Sequence, residues 1–442
     1  MKPIKTLLAA TLLAISVPAQ TTAPAKKVYA FFSSWSVYAR NYHITDVPAT
    51  RITHLLYAFA KVENGLIGLA DVYADTQKFY PGDSWATGAL RGSFHQMQIL
   101  KAKHPGLKTL ISVGGAGASQ GFSAAVSTIT TRKAFATSIV DFVVKYGFDG
   151  VDIDWEFPGS GPNLQDPANF TLFVTELRTQ LDARAKLLNT VFELTIDVPA
   201  NPKSAAKLEL GKLHPLVDAM LVTSLDYFVP IANLTNPISH LGSPLYPIPG
   251  DPTPAPYSTD FNVEATAQYY QGANVPRSKL ILGMPLYGRG YAGISGGTNG
   301  LFGKYSGPTT LGTWGPGIFD YTDLANNYVS KAGYTRYWND SARAPRLYNP
   351  TTAEMISYED ARSIREKCWF LQAHDLGGAM VWELSADRTA TLLSEIDRVV
   401  LRQPRMSTTT HEVSVTSPAK VALDVDSAQG DAGKLYLVLG SL

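Results

Sequence analysis

One cysteine, Cys368, stands among 442 residues, so neither a disulfide framework nor a cysteine-rich zinc site is available to this chain. Net charge is equally scarce. The 38 Lys+Arg against 37 Asp+Glu leave +1, which gives no long-range field for nucleic acid or an anionic lipid surface. Recognition must therefore rest on local chemistry, and an uncharged or small partner is expected. Internal repeats and low-complexity tracts are also missing, and after the first apolar run no stretch has the length that spans a bilayer. What is present is ordinary globular material: 45% apolar and 17% charged residues exclude a disordered chain, a collagen and a polytopic membrane protein. That supply suffices for one large core, or for two.

Residues 1–19 read differently from the rest. Lys2 and Lys5 precede the apolar run Leu7 to Val17, and Val17-Pro18-Ala19 supplies small residues before Gln20. This is the pattern of a secretory signal, and the run is too short for a membrane anchor. The mature protein is expected outside the cytoplasm, extracellular or periplasmic, with no membrane association once the signal is removed.

From Lys27 to about Arg402, short apolar runs alternate with amphipathic stretches, as in a parallel sheet wrapped by helices. The runs are Val28 to Ser33, Thr53 to Ala60, Lys108 to Val113, Phe148 to Asp154, Val191 to Val198, Ala219 to Thr223, Lys279 to Pro285 and Gly378 to Trp382. Between them, a helix is expected from about Arg132 to Tyr146, carrying Phe135, Ile139, Phe142, Val143 and Tyr146 on one face and stopping at Gly147. A second is expected to start with Asp166 as N-cap and Pro167 at its first position, with Phe170, Phe173, Val174, Leu177 and Leu181 inward. Eight such alternations predict an α/β fold, a (β/α)8 TIM barrel, with an open doubly wound sheet as the alternative. In a barrel, chemistry gathers at the C-terminal ends of the strands.

Two segments depart from the repeat. About 90 residues separate the seventh and eighth strands, and the stretch Tyr291 to Tyr358, rich in Gly, Tyr and Trp, is too long for a loop. A small inserted α+β module is expected there. Residues 404–442 carry strand-like pieces at His411 to Val415, Lys420 to Asp424 and Lys434 to Leu439, consistent with a tail or a partial β-module of unassigned role.

The most informative stretch is Asp149-Gly150-Val151-Asp152-Ile153-Asp154-Trp155-Glu156. Side chains alternate along a strand, so Asp152, Asp154 and Glu156 share one face while Val151, Ile153, Trp155 and Phe157 share the other. Neighbours on one face lie about 6–7 Å apart, so three enclosed carboxylates cannot all ionise without a large repulsive cost. A proton held in such a row is what a general acid needs near neutral pH. Glu156, at the C-terminal end, is expected to be that acid. A calcium site or a solvated acidic loop is the competing reading; calcium ligands usually sit on loops with interleaved Gly and Asn, whereas large apolar residues separate these carboxylates.

This row resembles the DxxDxDxE signature of the family 18 glycoside hydrolases, the chitinases, whose fold is a (β/α)8 barrel. Ser112-Val113-Gly114-Gly115 is similar to the family's SxGG at the third strand, Tyr287-Gly288-Arg289 to its motif after the seventh, and Gly377-Gly378-Ala379-Met380-Val381-Trp382-Glu383 to its closing segment. The insertion, with Gly312-Thr313-Trp314 and Gly333-Tyr334-Thr335-Arg336-Tyr337-Trp338, is similar to that of bacterial chitinases. The likeness extends from about Lys27 to Leu401.

The resemblance implies a retaining hydrolysis of β-1,4 N-acetylglucosamine linkages in which the substrate's 2-acetamido oxygen is the nucleophile. Carried over, Glu156 protonates the leaving oxygen and later activates water, Asp154 orients the acetamido group, and Asp152 shares a proton with Asp154. Asp149, outside the alternation, is expected to be structural. Trp382 would floor the sugar site or else pack in the barrel; Asp226, Tyr287, Arg289 and Ser112 would line the site, Arg289 alternatively as an ion-pair partner and Ser112 through the carboxylate network. Trp35, Tyr38, Trp314 and Trp338 are candidate sugar platforms that core packing would explain equally well. The chemistry needs no metal and no organic cofactor, and chitin or N-acetylglucosamine oligosaccharides are the implied partners of a monomer.

Two departures stand against the family pattern. The sixth strand reads Thr223-Ser224-Leu225-Asp226 where the family has Met-Ser/Thr-Tyr-Asp, so the tyrosine that holds the acetamido carbonyl is a leucine; Tyr227, two residues on, is the expected substitute. Ala116 follows the SxGG-like motif where many chitinases carry tryptophan. A catalytically weak chitin- or glycan-binding protein, and an endo-β-N-acetylglucosaminidase acting on other glycans, are therefore carried as alternatives.

Overall fold

Eight apolar runs become eight strands: Lys27–Ser33, His54–Glu63, Lys108–Gly114, Gly150–Asp154, Glu193–Pro199, Ala219–Thr223, Leu280–Pro285 and Gly378–Trp382. The computed structural model describes residues 25–235, 237–402, 405–408 and 423–426. Each strand pairs in parallel with the next, and the last returns to the first through Lys27↔Gly378 and Ala30↔Val381. That closure makes a (β/α)8 barrel and rules out the open sheet. The leader read at residues 1–19 and the pieces His411 to Val415 and Lys434 to Leu439 lie outside the described residues; Leu423–Asp426, overlapping the Lys420 to Asp424 piece, pairs antiparallel with Arg405–Thr408.

Strand alternation divides the apolar residues into two layers. Tyr29, Phe31, Leu56, Leu110, Leu221, Ile281 and Met380 fill the barrel interior. Val151, Ile153, Leu194, Ile196 and Val222 point outward against the helices. The helix Ile129–Tyr146 starts three residues before the expected Arg132, because Thr128 and Thr131 cap each other's backbone amides through their hydroxyls. It ends at Gly147, in the left-handed conformation at φ 73°. The helix Asp166–Leu188 begins one residue earlier than a capping Asp166 would allow: that carboxylate instead accepts from Ser123 Oγ (2.7 Å) and Asn163 Nδ2 (2.7 Å), tying the preceding loop down.

The insertion is an antiparallel sheet of six strands, from Tyr287–Ala292 to Glu354–Ser357, with a helical turn over Tyr321–Tyr328. Its first strand opens at Tyr287, directly after the seventh barrel strand ends at Pro285, so the sheet grows out of the barrel mouth earlier than Tyr291. Small cores cover the two faces: Tyr291, Leu301 and Met355 on one, Phe319, Leu347 and Ile356 on the other. After the sheet, Glu359 forms a wholly buried ion pair with Lys367 on the helix Ala361–Ala373. Cys368 on that helix is also wholly buried, and burial pushes its thiol pKa up.

Candidate active site

The fourth barrel strand carries the acidic row to the C-terminal mouth. Asp152 is completely buried and Asp154 nearly so, while Glu156 stands beyond the strand end, exposed to solvent. On the other face Trp155 stacks on Phe122 at 5.2 Å and meets Phe170 edge-on at 5.8 Å, which fixes the direction of the whole segment. The third strand braces it from the side. A Cβ at Gly114, where φ is +112°, would lie 2.2 Å from the Asp154 carbonyl oxygen, and that oxygen accepts from the Gly115 amide at 2.8 Å. Ser119 Oγ accepts from the Glu156 amide at 2.9 Å.

Polar partners grade along the row. Both oxygens of Asp152 accept hydroxyls, from Ser112 at 2.6 Å and Thr195 at 2.6 Å. Asp154 Oδ1 is buried with no hydrogen-bond partner. Burial, then the charges of Glu156 and Asp152, hold the Asp154 carboxyl well above its ordinary pKa. Burial raises Asp152 as well, against the opposing hydrogen bonds it accepts. Glu156 is raised by the protein crowding its base and then by the charge of Asp226.

The opposite side of the mouth is built from the turn after the sixth strand and the first strand of the insertion. Asp226, in the left-handed conformation at φ 54°, takes both oxygens to Arg289, with Nε to Oδ1 at 2.9 Å and Nη2 on Oδ2. The Arg289 guanidinium lies 4.9 Å from the Tyr287 ring. Trp382 ends the eighth strand half-buried, stacked on Phe59 at 5.6 Å and 20°, with Phe31 below at 5.1 Å and Trp35 beside it at 6.3 Å. Glu383, buried behind it, accepts from Ser33 Oγ and lies 3.5 Å from Arg40, anchoring the Trp382 backbone.

The model for glycosyl hydrolases family 18 matches residues 27–387. This chain belongs to that family. Among its relatives, Chitinase A1 of Niallia circulans is 38% identical over 430 residues, covering 87% of this chain, and the chain spans 61% of that protein's length. Endochitinase 1 of Metarhizium robertsii is 37% identical over 81% of both chains. Among solved structures, Chitinase ChiA74 from Bacillus thuringiensis superposes with a TM-score of 0.80 at 33% identity, over 87% of this chain and 73% of that one.

Several residues expected to line the family 18 site stand elsewhere. Tyr227 does not take the place of the missing tyrosine: it is buried in the outer layer, and its hydroxyl shares a hydrogen bond with Thr266 Oγ1 at 2.6 Å. The left-handed turn at Asp226 breaks the extended alternation, so a residue two positions on no longer faces the mouth. Leu225 instead packs with Phe59 and Trp382 on the barrel's inner cluster. Ser112, by contrast, is wholly buried and donates to Asp152 within the carboxylate network. Asp149 takes the Thr109 amide at 2.7 Å and Lys101 at 2.8 Å, a structural use. Of the platforms, Trp35, Tyr38 and Trp314 are exposed, Trp35 beside Trp382. Trp314 has Arg40 4.9 Å from its ring, whereas Trp338 has two guanidinium neighbours, Arg362 at 3.9 Å and Arg336 at 5.4 Å.

One residue of the site escaped the sequence reading. Asp197 is buried on the fifth strand; Asp152 pairs with Thr195 and Ile153 with Ile196, so the next step in register sets Asp197 beside Asp154. Its Oδ2 is buried without a partner, and its carboxyl is in hydrogen-bond contact with that of Asp152. The available signal was a lone charge inside the apolar run Leu194-Thr195-Ile196-Asp197-Val198.

Proposed function

We propose that this protein is a secreted chitinase that hydrolyses β-1,4 N-acetylglucosamine linkages with retention, the substrate supplying the nucleophile. The observation that carries the reading is the pairing of an exposed acid, Glu156, with a buried neighbour, Asp154, whose Oδ1 is unpartnered. An unpaired buried carboxyl is costly unless a ligand group comes to it. The acetamido N–H of a sugar held over Trp382 is such a group. A carboxylate nucleophile on the far side is the usual alternative. Asp226 is the carboxylate there, and Arg289 clamps both of its oxygens.

In the forward step Glu156 gives its proton to the glycosidic oxygen, the bond from C1 to that oxygen breaks, and the acetamido carbonyl oxygen bonds to C1. Asp154 orients that group and faces its growing positive charge. Water then loses a proton to Glu156 while its oxygen bonds to C1 and the bond between C1 and the acetamido oxygen breaks, which restores the starting stereochemistry and frees the acetamido group. Glu156→Gln on an N-acetylglucosamine hexamer, with products read by mass spectrometry, is expected to lower turnover roughly 10²–10⁴-fold. Turnover equal to wild type would refute the assignment. Export is tested by the mature N-terminus, expected at Gln20.

Leu225 favours a second reading, a glycan-binding protein with weak hydrolysis. A lost hydrogen bond to developing charge costs on the order of 3 kcal/mol, about a hundredfold in rate. Saturable oligosaccharide binding without product would favour this reading. Leu225→Tyr raising turnover by that order would identify the leucine as the cause.

A further inference from the structure

Ser112 and Thr195 already donate hydroxyl protons to the two oxygens of Asp152, so this carboxyl is the one of the buried acids best equipped to carry charge. Asp154 makes no hydrogen bond through Oδ1, and Asp197, reaching Asp152 from the next strand, makes none through Oδ2. Two buried carboxyls touching, one surrounded by donors and the other without any, sort into acceptor and donor. We propose that Asp197 is a positioning residue of the reaction, protonated and donating to Asp152, so that the proton at the foot of the acidic row is held from the neighbouring strand and Asp154 is left free to meet the substrate. The inference rests on the roles given above to Asp154 and Glu156. It changes the expected role of Asp152, which draws its proton partner from the fifth strand and not from Asp154. The groups facing Asp197 are Asp152, Asp154 and Glu156, with the Tyr29 hydroxyl below Asp152 inside the barrel.

Two measurements test it on the full chain. Infrared spectra at neutral pH are expected to lose one protonated-carboxyl carbonyl band in Asp197→Asn relative to wild type. An unchanged band would mean that Asp197 is ionised, and would overturn the proposal. In steady-state hydrolysis of the hexamer, Asp197→Ala is expected to lower kcat roughly tenfold with KM within about twofold, the size of one hydrogen bond to a charged group. Asp197→Asn, whose amide can still donate to Asp152, is expected to recover most of that loss. Equal losses in the two variants would overturn the donor role. Should Asp197→Ala fail to fold, the infrared comparison on Asp197→Asn still decides. That readout needs no turnover, so it stands apart from the Glu156→Gln test, whose failure would remove the hydrolytic assignment alone.

Discussion

Asp226 acts on Glu156 through space. Its negative charge opposes ionisation of the acid and is the second cause, after the protein crowded round the base of the side chain, of the raised Glu156 carboxyl. An acid must hold its proton to donate it, so the raised value carries activity toward higher pH. Asp226→Asn removes that opposing charge and also leaves the Arg289 guanidinium without its partner. Both changes favour ionised Glu156. The basic limb of kcat against pH is therefore expected to move to lower pH, and a limb that stays in place would show that Asp226 does not set the acid. The acidic row itself was legible because its spacing equals the strand period, which leaves the three carboxylates no other face. Tyr227 was misread for the same reason: the period was extended through Asp226, where the backbone turns left-handed.

At the scale of elements, helix ends were harder to read than strands. Parallel strands are apolar on both faces, so their runs stand out, and the eight observed strands fall within three residues of the expected ones. The start of the helix Ile129–Tyr146 depends instead on a reciprocal Thr128–Thr131 cap that carries no apolar signal. Its end was legible, because Gly147 at φ 73° is where a side chain would be strained. Gly147→Ala is expected to cost about 1 kcal/mol in guanidinium unfolding. Asp197 was not legible because one acid in a strand is ambiguous until the register to Asp152 and Asp154 is known.

Across the whole molecule, the insertion is joined to the barrel at both ends. It leaves through Tyr287, within two residues of Pro285, and returns through Glu359, whose ion pair with Lys367 is closed by Lys367 Nζ donating to Ser243 Oγ at 2.9 Å. Ser243 in turn donates to the Ser224 carbonyl at 2.7 Å, beside Leu225 and Asp226. Removing one member of a buried pair strands the other, so Lys367→Met is expected to destabilise the fold by about 3–5 kcal/mol, whereas Lys367→Met with Glu359→Leu should recover most of that loss. Equal losses in single and double variants, measured by guanidinium unfolding, would count against the pair as the junction's anchor. Next to Lys367 sits the chain's only thiol, sealed within the same helix. A maleimide probe therefore has nothing to label while the native packing holds, so its rate of incorporation becomes a stopwatch for the opening of this junction.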